Sequence, residues 1–113
     1  MYKNAAKFDT LRSVAFGSLT TSYAIVGSVL PTPAVCVSFM NNTNGIVYVS
    51  TDGINDMLAI PASTGLVYDI RTNSPNATDY LLSQSTPFLV KYSGTAPTSG
   101  SFYIMAVITQ TNP

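Results

Sequence analysis

The side chains that could do chemistry gather in one short stretch, Thr51-Asp-Gly-Ile-Asn-Asp56. Asp52, Asn55 and Asp56 set three oxygen-bearing side chains around a glycine, the ligand type that hard cations such as calcium take. The stretch lacks the further ligands and the closing bidentate glutamate of an EF-hand loop. The same residues also describe a hairpin turn, with Asp52 organising its backbone, Gly53 supplying the left-handed conformation and Asp56 ending the turn in solvent. Asp-Gly is so frequent in turns that the turn reading is preferred. Asp52, Asn55 and Asp56 stand as the candidate metal ligands against it.

Other chemistry is scarce. The chain has no histidine, so it has no Ser-His-Asp or Cys-His arrangement. It has no glutamate either, and paired-carboxylate hydrolysis would need two aspartates, of which only Asp52 and Asp56 are close in sequence. Lys3 and Lys7 lie in an N-terminal arm and Lys91 on a strand, and nothing sets a serine beside them as a nucleophile. The single cysteine, Cys36, lies in an apolar run and reads as a buried, inert thiol. No glycine-rich phosphate cradle is present, because the Gly94–Gly100 loop precedes no helix. No catalytic residue and no cofactor are expected, and the chain does not read as an enzyme.

The seven tyrosines raise a different possibility. Tyr48, Tyr68, Tyr92 and Tyr103 could stack on sugar as a carbohydrate- or receptor-binding module. They fall on expected strands, where tyrosine is favoured in any case, and tryptophan is absent.

Composition says more than motifs do. Charged residues make up 9% of the 113 residues, against roughly a quarter in an ordinary domain. Five basic residues balance five acidic ones without a basic run, so nucleic-acid binding by counterion release has no footprint. A chain so poor in charge relies little on self-repulsion to stay apart from its own copies. Either partners cover much of its surface, or a Ser/Thr/Asn-rich surface keeps it hydrated. The N-terminus lacks the apolar core of a secretory signal, and no apolar run nears the ~20 residues of a membrane span. The expectation is synthesis in a cytoplasm, with no membrane partner.

The elements that must position these residues read as strands. The length suits one domain, and no stretch holds a helical period beyond ten residues. Residues 1–11 form a short arm, and residues 12–113 a domain of eight strands. These run 12–18, 22–30, 34–40, 46–51, 56–60, 66–71, 88–93 and 101–109. Val35, Val37 and Phe39 alternate with Cys36, Ser38 and Met40, the first set facing the core. Leu66, Tyr68 and Ile70 alternate with Val67, Asp69 and Arg71. Gly27 marks a bulge or a close backbone approach. Asn44-Gly45, Asp52-Gly53 and Pro61–Gly65 read as chain reversals that make residues 34–71 a four-stranded meander. Asn73–Thr78 reads as a loop, Asp79–Ser83 as a helical turn or a short strand, and Gly94–Gly100 as a hairpin tip. The last strand is apolar on both faces, which suits a central strand or one whose second face meets another subunit. The fold class is all-β, an antiparallel sandwich of jelly-roll or Greek-key type.

Several segments together resemble the small virion proteins of tailed bacteriophages. They are Ser22–Gly27, Val37–Asn44, Tyr48–Asp56, Ile60–Ser63, Tyr68-Asp69, Asn73 and Val90–Tyr103. The resemblance spans nearly the whole chain after the arm and rests mostly on turns. It implies a β-sandwich that decorates or cements a capsid, or else forms part of a tail, neck or fibre base. It implies homo-oligomers, with trimers suiting local three-fold positions by analogy, and the major capsid protein or other virion proteins as partners. It carries no catalytic residue. The residues expected at such contacts are Tyr2 and Phe8 in the arm and Tyr103, Met105 and Val107 in the last strand.

Overall fold

The computed structural model describes residues 6–69 and 82–109, and these form two packed antiparallel sheets. The strands are β1 (Ala6–Phe8), β2 (Arg12–Ala15), β3 (Ala24–Ile25), β4 (Ala34–Asn41), β5 (Val47–Ser50), β6 (Leu58–Ile60), β7 (Thr64–Asp69), β8 (Leu89–Lys91) and β9 (Ser101–Thr109). A single 3-10 turn, Phe16–Ser18, follows β2. In the larger sheet β9 pairs with β1 and then β2 along one side and with β4 along the other, and β7 lies beyond β4. The smaller sheet runs β3-β8-β5-β6. The chain is a small β-sandwich.

Alternation along the strands sets what each sheet buries. Val37 and Phe39 of β4 and Phe102, Ile104, Ala106 and Ile108 of β9 point inward. Val47, Val49, Ile60 and Val90, with Phe88 just before β8, meet them from the smaller sheet. Phe39 joins the layers: its ring meets Phe88 edge-on at 6.0 Å and lies over Phe102 at 6.4 Å. Each Val, Ile or Phe side chain among them taken fully from water contributes ~1.5–3 kcal/mol. β9 is a central strand, as its two apolar faces suggest. β4 carries one extra residue between Ala34 and Cys36, a bulge that sits at buried Val35.

The described residues 34–69 do not form the expected meander. β4 pairs with β7, and β5 pairs with β6 in the opposite sheet. The chain therefore crosses between sheets after β4 and crosses back after β6. Asn44-Gly45 is no hairpin turn, and Gly45 lacks the positive φ that such a turn demands. Buried Asn41 holds the crossing instead: its Nδ2 donates to the carbonyls of Gly45, Ile60 and Pro61, and its Oδ1 accepts from the amide and hydroxyl of Thr43.

The Gly94–Gly100 loop is likewise a crossing and not a hairpin tip, because β8 and β9 belong to different sheets. It lies against the first crossing. The amide of Thr98 donates to Asn44 Oδ1 at 2.8 Å, Asn44 Nδ2 donates back to Thr98 Oγ1 at 2.7 Å, and Asn42 and Gly100 touch through their backbones. The expected strand over 22–30 shrinks to Ala24–Ile25. Gly27, with φ +69°, turns the chain there and lies against the Arg12 side chain, which is the close approach its position suggested. The loop expected at 73–78 and most of the 79–83 segment lie outside the described residues. Leu82 bridges Ala34.

Candidate interface

The Asp-Gly corner is a closed turn. Asp52 Oδ1 accepts from the hydroxyl of Ser50 at 2.8 Å and from the amides of Ile54 and Asn55, and Oδ2 accepts from Asn55 Nδ2 at 2.9 Å. The two amides, with Ser50 and the Asn55 side chain, hold its carboxyl far below the usual carboxylate range. Asp56 turns elsewhere. Its Oδ1 accepts from the Tyr23 hydroxyl at 2.6 Å and sits 3.2 Å from Lys91 Nζ. Those two groups lower its pKa, while burial and Asp56 together push the Tyr23 phenol up. Asp52 thus commits both carboxylate oxygens, and Asp56 its Oδ1, to the protein itself, while Asn55 takes part through its side-chain nitrogen. Among the described residues no group of three or more His, Cys, Asp or Glu converges as a metal site.

The described tyrosines do not form one platform. Tyr48 and Lys91 are opposite each other on the outer side of the smaller sheet, and Lys91 Nζ lies 4.8 Å above the Tyr23 ring. Tyr68 lines an apolar opening of about 280 Å³ with Phe39, Met57 and Leu82. Tyr103 lies on the outer side of the larger sheet.

That outer side is where the described interface candidates meet. Residues opposite each other in a ladder share a face. Phe8 is opposite Val107, which is opposite Cys36, which is opposite Asp69. Two residues along, Met105 is opposite Ser38 and Ser38 opposite Val67. Two further, Tyr103 lies between Ser13 and Met40. Phe8, Tyr103, Met105 and Val107 therefore belong to one face, and Tyr2 lies outside the described residues. Phe8 is 87% exposed and Val67 68%; Met40 and Met105 are also exposed. In these rows Asp69, at the end of edge strand β7, is the one charged residue. The outer side of the smaller sheet, by contrast, carries the Lys91–Asp56 pair.

Sequence reasoning missed Met40, Cys36, Ser38 and Val67. It had sorted each to a face of its own strand, but a meander would have kept those strands from lining up as they do. Cys36 is half-buried on this outer face and is not in the core, and partial burial beside Asp69 raises its thiol pKa. Buried Arg12 was also missed. Its Nη2 lies 2.8 Å from Asp9 Oδ2, its Nε donates to the Ser28 carbonyl at 2.8 Å, and its guanidinium lies over Phe88. Asp9 Oδ2 is enclosed and meets the guanidinium as a charge partner, without an aligned hydrogen bond. This pair ties the segment after β1 to the loop after β3.

Among the described residues no helix is long and apolar enough to cross a membrane. Comparison with known protein families, with curated proteins and with solved structures finds no match to this chain.

Proposed function

We propose that this chain is a structural protein of a tailed-bacteriophage virion, a capsid decoration or cement protein that works by surface contact. The observation that carries the reading is the outer face of the larger sheet. Phe8, Val107, Met105, Tyr103, Met40 and Val67 share it, and among the described residues of these rows charge stands only at the margin. Contiguous exposed apolar surface of this kind marks interaction sites. Specific interfaces bury ~1,200–2,000 Å² in total, and many copies on one shell multiply weak contacts through avidity.

The strand pairing supports the jelly-roll alternative. β2 pairs with β9, β3 with β8, β4 with β7 and β5 with β6, a nested order in which the outermost strands close first and the innermost form a hairpin. Two-sheet jelly rolls are common in viral capsid and lectin domains, so the connectivity suits a virion part. The dispersed tyrosines speak against the glycan-binding use of such a sandwich. The partners would be the major capsid protein and further copies of this chain, in a particle assembled in the host cytoplasm.

The test is binding to purified, expanded phage capsids that lack the chain. Saturable binding in hundreds of copies, with a gain in capsid heat resistance, supports cementing. A few to a few dozen copies per particle, confined to the tail, would support the tail, neck or fibre-base reading of the same contact chemistry. No association with any virion component removes both.

A further inference from the structure

We infer that the outer face of the larger sheet is covered by the same face of a second copy, in a two-fold, sheet-on-sheet dimer. The inference rests on the reading of this face as a contact surface; it assigns the face to a second copy and leaves the capsid contact to the remaining surface of the dimer. Three observations converge. The first is area. The face is about four strands wide and as long as β9, nine residues, so it spans roughly 19 by 30 Å, on the order of 570 Å² in projection before side-chain relief is added. A specific dimer needs roughly 600–1,000 Å² from each partner, so the face reaches the lower end of that range once side-chain relief is added.

The second is charge. A hetero-partner is normally selected by complementary charge, and this face offers none across its Met105–Ser38–Val67 and Tyr103–Met40 rows. Among the described residues of these rows the one acid, Asp69, ends the edge strand β7, so two copies can meet without burying like charges at the centre. The third is shape. The described rows belong to one antiparallel sheet. Such a surface packs on another sheet ~10 Å away, as sandwich layers do. When one patch meets itself, the closed solution is two-fold.

Sedimentation equilibrium of the full chain at micromolar concentration tests this directly. The expected result is twice the chain mass, with Cys36 reacting more slowly with a thiol reagent as the protein is concentrated. Val67→Glu alters a residue that is 68% exposed and away from the core. It should weaken the dimer roughly 100-fold, since a two-fold contact meets each substitution twice, with circular dichroism unchanged. Val67→Ile should keep the dimer and shows that the position tolerates substitution. A monomer, a trimer, or a dimer indifferent to Val67→Glu overturns the inference. Capsid binding measured in parallel separates the two readings: a monomer that still binds capsids ends the dimer alone, and a dimer that binds no virion component ends the virion reading alone.

Discussion

Ser38 and Met105 face each other across the β4–β9 ladder, on the side of the sheet turned away from the core. The pair sits midway between Phe8 at one margin and Val67 at the other. Inward, β9 buries Phe102, Ile104, Ala106 and Ile108; outward, it shows Tyr103, Met105 and Val107. A strand apolar on both sides suits a second surface against its outward set. On the proposed reading, one such contact accounts for both the charge-poor composition and this outward set.

Asn41 should be the most costly uncharged polar residue to remove. Asn41→Ala strips the donor from the Gly45, Ile60 and Pro61 carbonyls and the acceptor from Thr43. Buried groups left without partners cost ~1–3 kcal/mol each, so a loss of about 3 kcal/mol is expected in urea unfolding. Thr43→Val should lose less, about 1 kcal/mol. A loss for Asn41→Ala no larger than that of an exposed asparagine such as Asn42 would show that the crossing is held by something else.

The Arg12–Asp9 pair predicts a non-additive cycle. Arg12→Ala leaves Asp9 enclosed without its counter-charge, at an expected cost of about 3–5 kcal/mol. Replacing both residues, Asp9→Asn with Arg12→Met, should cost much less than the two single changes added together. Equal and additive losses in thermal unfolding would mean that the pair is not coupled.

Two glycines with similar backbones separate strain from space. Gly94 and Gly100 both have positive φ, +80° and +88°. A Cβ at Gly94 meets nothing, whereas at Gly100 it would run into the backbone carbonyl of Asn42. Gly94→Ala should cost about 1 kcal/mol from the backbone conformation alone. Gly100→Ala should cost several times that, or prevent folding, because backbone cannot step aside as a flexible side chain can. Comparable losses for the two would contradict the contact between the crossings.

Stability should fall at both pH extremes for identifiable reasons. Asp52 and Asp56 have folded pKa values below their ordinary ones. Their contribution is present above the unfolded carboxylate value of ~4 and is lost as pH falls through the folded values. Tyr23 has a raised folded pKa, so its contribution is present below the unfolded phenol value of ~10 and is lost as pH rises beyond it toward the folded value. Asp52→Asn should flatten the acid limb and Tyr23→Phe the alkaline limb of a plot of melting temperature against pH. Limbs unchanged by these substitutions would show that other groups govern them.

The sandwich was legible in the sequence because strand alternation is local. Val37 against Ser38, or Phe102 against Tyr103, reveals a face from neighbours alone. The pairing of strands was not legible, because it depends on how the turns run. Asn44-Gly45 has the composition of a tight reversal, yet Asn41 ties the chain to Ile60 in the opposite sheet and turns that corner into a crossing. The candidate face was half legible for the same reason. Phe8, Tyr103, Met105 and Val107 could be chosen from their own segments, but Met40 and Val67 join them only through ladders that span β4 and β7. Arg12 gave no local sign of burial. Its place depends on Gly27 and Asp9 arriving from either side.

The most direct test uses the chain's own methionines. Met40 and Met105 lie on the outer face of the larger sheet, while Met57 lies beside the opening at β6, and all three are exposed in the single chain. Mild peroxide oxidation followed by mass spectrometry reads each thioether separately. In the assembled state Met40 and Met105 should be protected several-fold relative to the dilute chain, with Met57 little changed. Equal oxidation of Met40 and Met105 in the assembled and dilute states would mean that this face stays open to solvent, contradicting its role as the working surface.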